Sequence, residues 1–127
     1  MSNSYDLWNE FINKGTEDIE RFNDLSDVEK DAIIIYELYS QSASGDGWEY
    51  FFDHMKYYKI PTDFVNNVIH KYFNEELSEN FSNAKHLYET EGFDGDYDEV
   101  NKPLFDFEAF IENLIYNFIN KNSDLYS

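Results

Sequence analysis

Apolar side chains in this sequence return every three or four residues and nowhere alternate, and that period confines the chain to helices. The pattern is fullest between Pro61 and Asn74, where Phe64, Val65, Val68, Ile69, Tyr72 and Phe73 fall along one broad helical face. Ser26-Asp27-Val28-Glu29 matches a capping box, which starts a helix at Ser26. Its buried side is Val28, Ala32, Ile34, Ile35, Leu38 and Tyr39, and it ends near Ala43. Gly45 and Gly47 follow on either side of Asp46, as residues free to take positive φ where a helix must stop. A new helix then runs to about Tyr58, with Trp48, Phe51, Phe52 and Met55 on one side and Glu49 and Asp53 on the other. This makes Gly45, Gly47, Trp48, Phe51 and Phe52 structural residues. The glycines turn the chain, and the aromatics form the centre of the core against Ile35 and Tyr39.

The same reasoning divides the rest. Ser4 caps a helix with Tyr5, Trp8, Phe11 and Ile12 inward, ending at Gly15. Thr16 caps a short piece that buries Ile19 and Phe22. Pro61 stops the helix before it, and Thr62 caps the next. Leu77, Phe81, Ala84 and Tyr88 form a stripe between Asn74 and Gly92. Phe93 to Pro103 reads as a loop rich in carboxylates, and a last helix from Leu104 buries Phe107, Phe110, Ile111, Leu114, Phe118 and Ile119. The expectation is all-α: a single compact domain over residues 1–127, with six or seven helices around a central antiparallel helix pair. At 127 residues, roughly two-thirds of the unfolded surface can be buried without covalent staples.

The chain holds 27 Asp and Glu against 9 Lys and Arg, a formal net charge of −18. Such a field repels nucleic acid and anionic membrane, so neither is expected as a direct partner. Aromatics make up 20% of the residues, which separates the chain from disordered acidic tails. There is no cysteine, hence no disulfide or thiolate site. Met1 to Phe11 lacks the basic start and apolar run of a signal peptide, and no stretch is apolar enough to cross a bilayer, so a cytoplasmic protein is expected.

Chemistry-bearing motifs are few. Asp94-Gly95-Asp96-Tyr97-Asp98 opens like a calcium loop, but the sixth position is Glu99 instead of Gly and the twelfth is Phe105 instead of Glu. His54, His70 and His86 fall in different helices and in no ligand-type spacing. There is no Cys, no G-x-S-x-G elbow and no glycine-rich phosphate loop. No catalytic residue, metal or cofactor is therefore assigned, and an enzyme is the third-ranked class.

The carboxylates carry more information. Asp6/Glu10, Asp27/Asp31, Glu49/Asp53, Glu75/Glu79 and Glu108/Glu112 are like-charge pairs at i, i+4, each costing its helix a few tenths of a kcal/mol. Their spacing of about 5–6 Å resembles the step between phosphates on one DNA strand. Charge is also uneven: residues 1–46 hold 11 acidic and 3 basic side chains, residues 47–88 hold 6 and 4, and residues 89–127 hold 10 and 2. If the two end segments pack side by side, Asp24, Asp27, Asp31, Glu89, Glu91, Asp94, Asp96, Asp98 and Glu99 form one negative face for a basic protein. AT-rich codon usage or salt adaptation would instead make the charge a matter of solubility alone.

Gly45-Asp46-Gly47-Trp48 followed by Phe51-Phe52 resembles a family of small acidic all-helical bacterial domains of unknown function that includes the DNA-mimic protein (DMP) group. That family carries an Asn-Gly-Gly-aromatic turn and then Tyr-Phe; only the second Gly is kept here. The helix Phe64–Phe73, the segment Ala84–Tyr88 and the helix Phe107–Ile119 follow the family's order, over residues 26–120. The resemblance implies a non-enzymatic protein, often a homodimer, that occupies the basic DNA-binding surface of a regulator or nucleoid protein. The runner-up is an immunity protein that neutralises a bacterial toxin such as a nuclease.

Overall fold

Ser26 sets the firmest boundary in a computed structural model of the chain, which describes residues 4–126 and their side chains from Asp6 to Tyr126. Its hydroxyl accepts the Glu29 N–H, and the Glu29 carboxylate accepts the Ser26 N–H at 3.2 Å, closing the capping box. In order, the helices are α1 Ser4–Glu17, α2 Asp27–Ser44, α3 Trp48–Tyr57, α4 Thr62–Tyr72, α5 Glu75–Glu91, α6 Asp98–Asp106 and α7 Glu108–Lys121. Short 3₁₀ segments cover Asp18–Asp24 and Ser123–Leu125. The described residues contain no strand, so the fold is all-α in one domain. No helix among them is long and apolar enough to cross a membrane.

The hub is α2. Five consecutive residues, Asp31 to Ile35, are buried, and the helix packs against α1, α3, α4, α6 and α7. Burial on nearly every side explains why its apolar stripe is wider than one helical face. Helix α3 doubles back along it: the Gly47 N–H reaches the Gln41 carbonyl at 3.1 Å, while His54 lies beside Glu37, one turn earlier in α2. Trp48, Phe51 and Phe52 are buried together, with the Phe81 ring of α5 5.8 Å from Trp48 and Tyr88 stacked on Phe52. Tyr39 lies edge-on to Trp8 of α1.

Several local expectations give way to packing. Gly15 does not end α1, which runs on to Glu17. A Cβ there would collide with the Tyr36 ring, so the glycine serves a close helix approach, at a helix cost of about 0.5–1 kcal/mol. The Thr16 hydroxyl donates back to the Asn13 carbonyl and caps nothing. Thr62 is the first residue of α4, after Pro61, and supplies no cap either. The proposed Ser4 cap and Tyr5 contact lie outside the described side chains.

The largest difference is at 93–103. The expected loop ends at Tyr97, and α6 begins at Asp98 and carries Pro103 inside it. Proline removes one backbone donor from this helix. The helix forms because Leu104 and Asn101 are buried and the Ser42 hydroxyl donates to the Leu104 carbonyl at 2.8 Å. The last helix is consequently two: the Phe107 N–H binds both Pro103 and Leu104 carbonyls, and α7 restarts at Glu108. The restart turns the stripe, so Ile111, Ile115, Phe118 and Ile119 are buried while Phe110 is exposed and Phe107 and Leu114 are only partly covered.

Candidate functional site

The turn between α2 and α3 is built from two glycines with different duties. Gly45 ends α2 in the left-handed region at φ 78°, with open space around it. Gly47 takes φ 86° and ψ −168°, and the Asn101 side chain occupies the place where a Cβ would stand. Asn101 is buried on α6 and acts at both ends of its amide. Its Oδ1 accepts the Trp48 backbone N–H at 2.8 Å, and its Nδ2 donates to Glu49 at 2.9 Å. The Trp48 indole N–H donates to Asn80 of α5, and Asn80 donates to the Val100 carbonyl. Two asparagines thus tie the starts of α3 and α6 to the middle of α5.

This clamp gathers carboxylates. Asp46, Glu49, Asp98 and Glu99 line an open groove of about 560 Å³ with Gly45, Asn101, Lys102 and Phe105. Lys102 bridges to Glu99 at 3.2 Å with both side chains exposed, a pairing of small net value. Beneath the rim, Tyr97 is buried and its hydroxyl donates to the Gly92 carbonyl at 2.7 Å. Burial first, and then the charges of Glu49, Glu91 and Asp53, hold that hydroxyl above its ordinary range. The Asp53 carboxylate accepts from the Tyr88 hydroxyl at 2.7 Å. Tyr88 is pushed up to about 12 by burial and by that carboxylate. Asp96 accepts the Asp98 N–H at 3.1 Å, an Asx-type turn that leads into α6.

The residues assigned from sequence separate into three groups. Glu89 and Glu91 stand exposed on the last turn of α5, Asp94 and Asp96 on the turn after it, and Asp98 and Glu99 on the first turn of α6. Asp24 and Asp27 are exposed at the other end of the molecule's hub, where α2 begins. At about 1.5 Å per residue, the two ends of α2 stand roughly 25 Å apart, which sets Asp24 and Asp27 apart from Asp98 and Glu99, beside Gly45 and Asp46 at the helix's other end. Asp31 belongs to neither, because it is 6% exposed and held by Lys71 Nζ at 2.9 Å and the Tyr72 hydroxyl at 2.7 Å. Its predicted place on a binding surface is corrected: a buried carboxylate with partners from α4 is part of the scaffold.

Asp46, Glu49 and Asp53 were missing from the sequence assignment. The outward i, i+4 spacing of Glu49 and Asp53 was the available signal, and only the packing of α6 against α3 joins Asp46 and Glu49 to Asp98 and Glu99. The expected like-charge penalties are also answered from elsewhere: Asn101 serves Glu49, Tyr88 serves Asp53, and Lys71 serves Asp31. Among the described residues, no three His, Cys, Asp or Glu side chains stand close enough to hold a metal ion. Comparison with protein-family models, curated proteins and solved structures finds no match.

Proposed function

We propose that the chain is a non-enzymatic acidic binding protein of the cytoplasm that occupies the basic nucleic-acid-binding surface of a partner protein, as its resemblance to the DNA-mimic group implies. One observation carries this reading. The carboxylates around the glycine turn are oriented by neutral donors: Asn101 for Glu49, Tyr88 for Asp53 and a backbone N–H for Asp96. Neutral donors fix the position of a charge without cancelling it. A surface tuned only for solubility has no need to hold its charges still, whereas a surface that stands in for phosphates does. With 27 carboxylates and 9 Lys and Arg, most of the negative charge stays available to a partner.

The test is competition. A basic protein captured from the native host is bound to DNA and titrated with wild-type chain or with an Asp46→Lys, Glu91→Lys, Asp98→Lys variant. The wild type should displace DNA in a salt-sensitive manner, since exposed charges are screened over about 8 Å at physiological ionic strength. The variant should displace it poorly while remaining folded. Equal competition by both proteins would refute the reading. Capture of a toxin whose activity the chain suppresses would put the immunity reading in its place.

A further inference from the structure

The outer side of α3 carries aromatics among its acids. Tyr50, Asp53 and Tyr57 follow at i, i+3 and i+7, on one side of the helix. Tyr50 is 42% and Tyr57 77% exposed. Phe93, just beyond α5 and 37% exposed, sets its ring edge-on to Tyr50 with centroids 5.0 Å apart. Glu49 precedes Tyr50 on α3, Glu91 and Asp94 lie within two residues of Phe93 in the chain, and Asp53 is steadied by Tyr88. Among the described residues, the two lysines that stand over rings are Lys30, over Phe22, and Lys71, over Tyr72, and neither covers Tyr50 or Phe93.

We infer that Tyr50 and Phe93, framed by Glu49, Asp53, Glu91 and Asp94, form the docking face for an arginine-bearing basic segment of a partner protein. The inference rests on the acidic-binding reading and says where on the molecule, and through which chemistry, it operates. Charge complementarity commits the face to a cation: Glu49, Asp53, Glu91 and Asp94 lie within three residues of one ring or the other in the chain, and the whole chain is strongly negative. The aromatics choose between cations. A guanidinium is planar, weakly hydrated and able to stack on a ring while its fork meets a carboxylate, and an ammonium offers only a hydrated point charge. An aromatic pair beside fixed acids is therefore an arginine site more than a lysine site, and such rigid aromatics are the usual anchors of interfaces.

The experiment uses the full chain with short oligo-arginine and oligo-lysine peptides of equal length, at about 0.15 M salt. Affinity is read by calorimetry and location by amide chemical shifts. The arginine peptide should bind more tightly, with the largest shifts at Tyr50, Asp53 and Phe93. The double variant Tyr50→Ala, Phe93→Ala should weaken it about tenfold and abolish the preference over lysine. Tyr50→Leu, Phe93→Leu retains apolar area without a ring face and should behave like the alanine variant. Asp24→Lys, Asp27→Lys, at the far end of α2, should leave the preference intact. If the peptide binds but the aromatic variants bind it as the wild type does, the docking face is wrong and the acidic-binding reading survives. If neither peptide binds, both are wrong.

Discussion

Gly47 and Gly45 are two residues apart in one turn, and alanine should be far more damaging at the first than at the second. At Gly47 the backbone sits at φ 86°, ψ −168°, a region essentially closed to side-chain-bearing residues, and strain there costs about 1–3 kcal/mol. The new Cβ also displaces Asn101, whose bonds to the Trp48 N–H and to Glu49 are then lost. The first of these leaves a buried donor unsatisfied, at about 1–3 kcal/mol. Together Gly47→Ala should cost about 4 kcal/mol, a large share of the roughly 5–15 kcal/mol that holds a domain of this kind. Gly45 is left-handed but faces open space, so Gly45→Ala should cost only about 1–2 kcal/mol. Urea unfolding followed by circular dichroism measures both. At a slope of about 2 kcal/mol per molar, the midpoints should fall by roughly 2 M and by under 1 M. A double-mutant cycle with Asn101→Ala should show that the Gly47→Ala penalty shrinks once the obstructing amide is gone. Equal midpoints for the two glycine variants, or a strictly additive cycle, would refute the steric argument.

Three further outcomes are expected. His54 is held above its usual range by its hydrogen bond to the buried Glu37, against the opposing effect of its own burial. The protonated histidine therefore contributes stability that is complete below about pH 6.5 and is lost as pH rises through its higher folded value; His54→Gln should flatten that slope in urea midpoints taken from pH 5 to 9. Asp31→Lys should abolish folding by placing an unpaired cation among buried groups, while Asp27→Lys at the exposed start of α2 should leave the midpoint unchanged or raise it in low salt. Calcium should raise the melting temperature no more than magnesium does at matched ionic strength, because Glu99 and Phe105, at the positions that require Gly and a bidentate Glu, lie on helix α6; a calcium-specific rise would contradict this.

Most of the helices were legible because their signals are local. The Ser26 box, the glycines after α2, the Asn74 start of α5 and the aromatic stripe of α3 each depend on residues within one or two helical turns, where spacing dictates which groups can meet. Pro103 misled for the complementary reason. Its local preference is against a helix interior, and only contacts made by Asn101 with Trp48 and by Ser42 with Leu104, separated by more than fifty residues in the chain, outweigh it. The acidic site follows the same division. Net charge and the outward spacing of Glu49 and Asp53 are properties of the sequence alone, and they establish that the surface is negative. Which carboxylates share a face is a long-range question. Asp31 carries the same charge as Asp27 one turn away, yet α4 covers the one with Lys71 and Tyr72 and leaves the other in water. Asp46, Glu49, Asp98 and Glu99 meet only because an asparagine on α6 binds the backbone at the start of α3, and a pattern of charges along a chain holds no record of that contact.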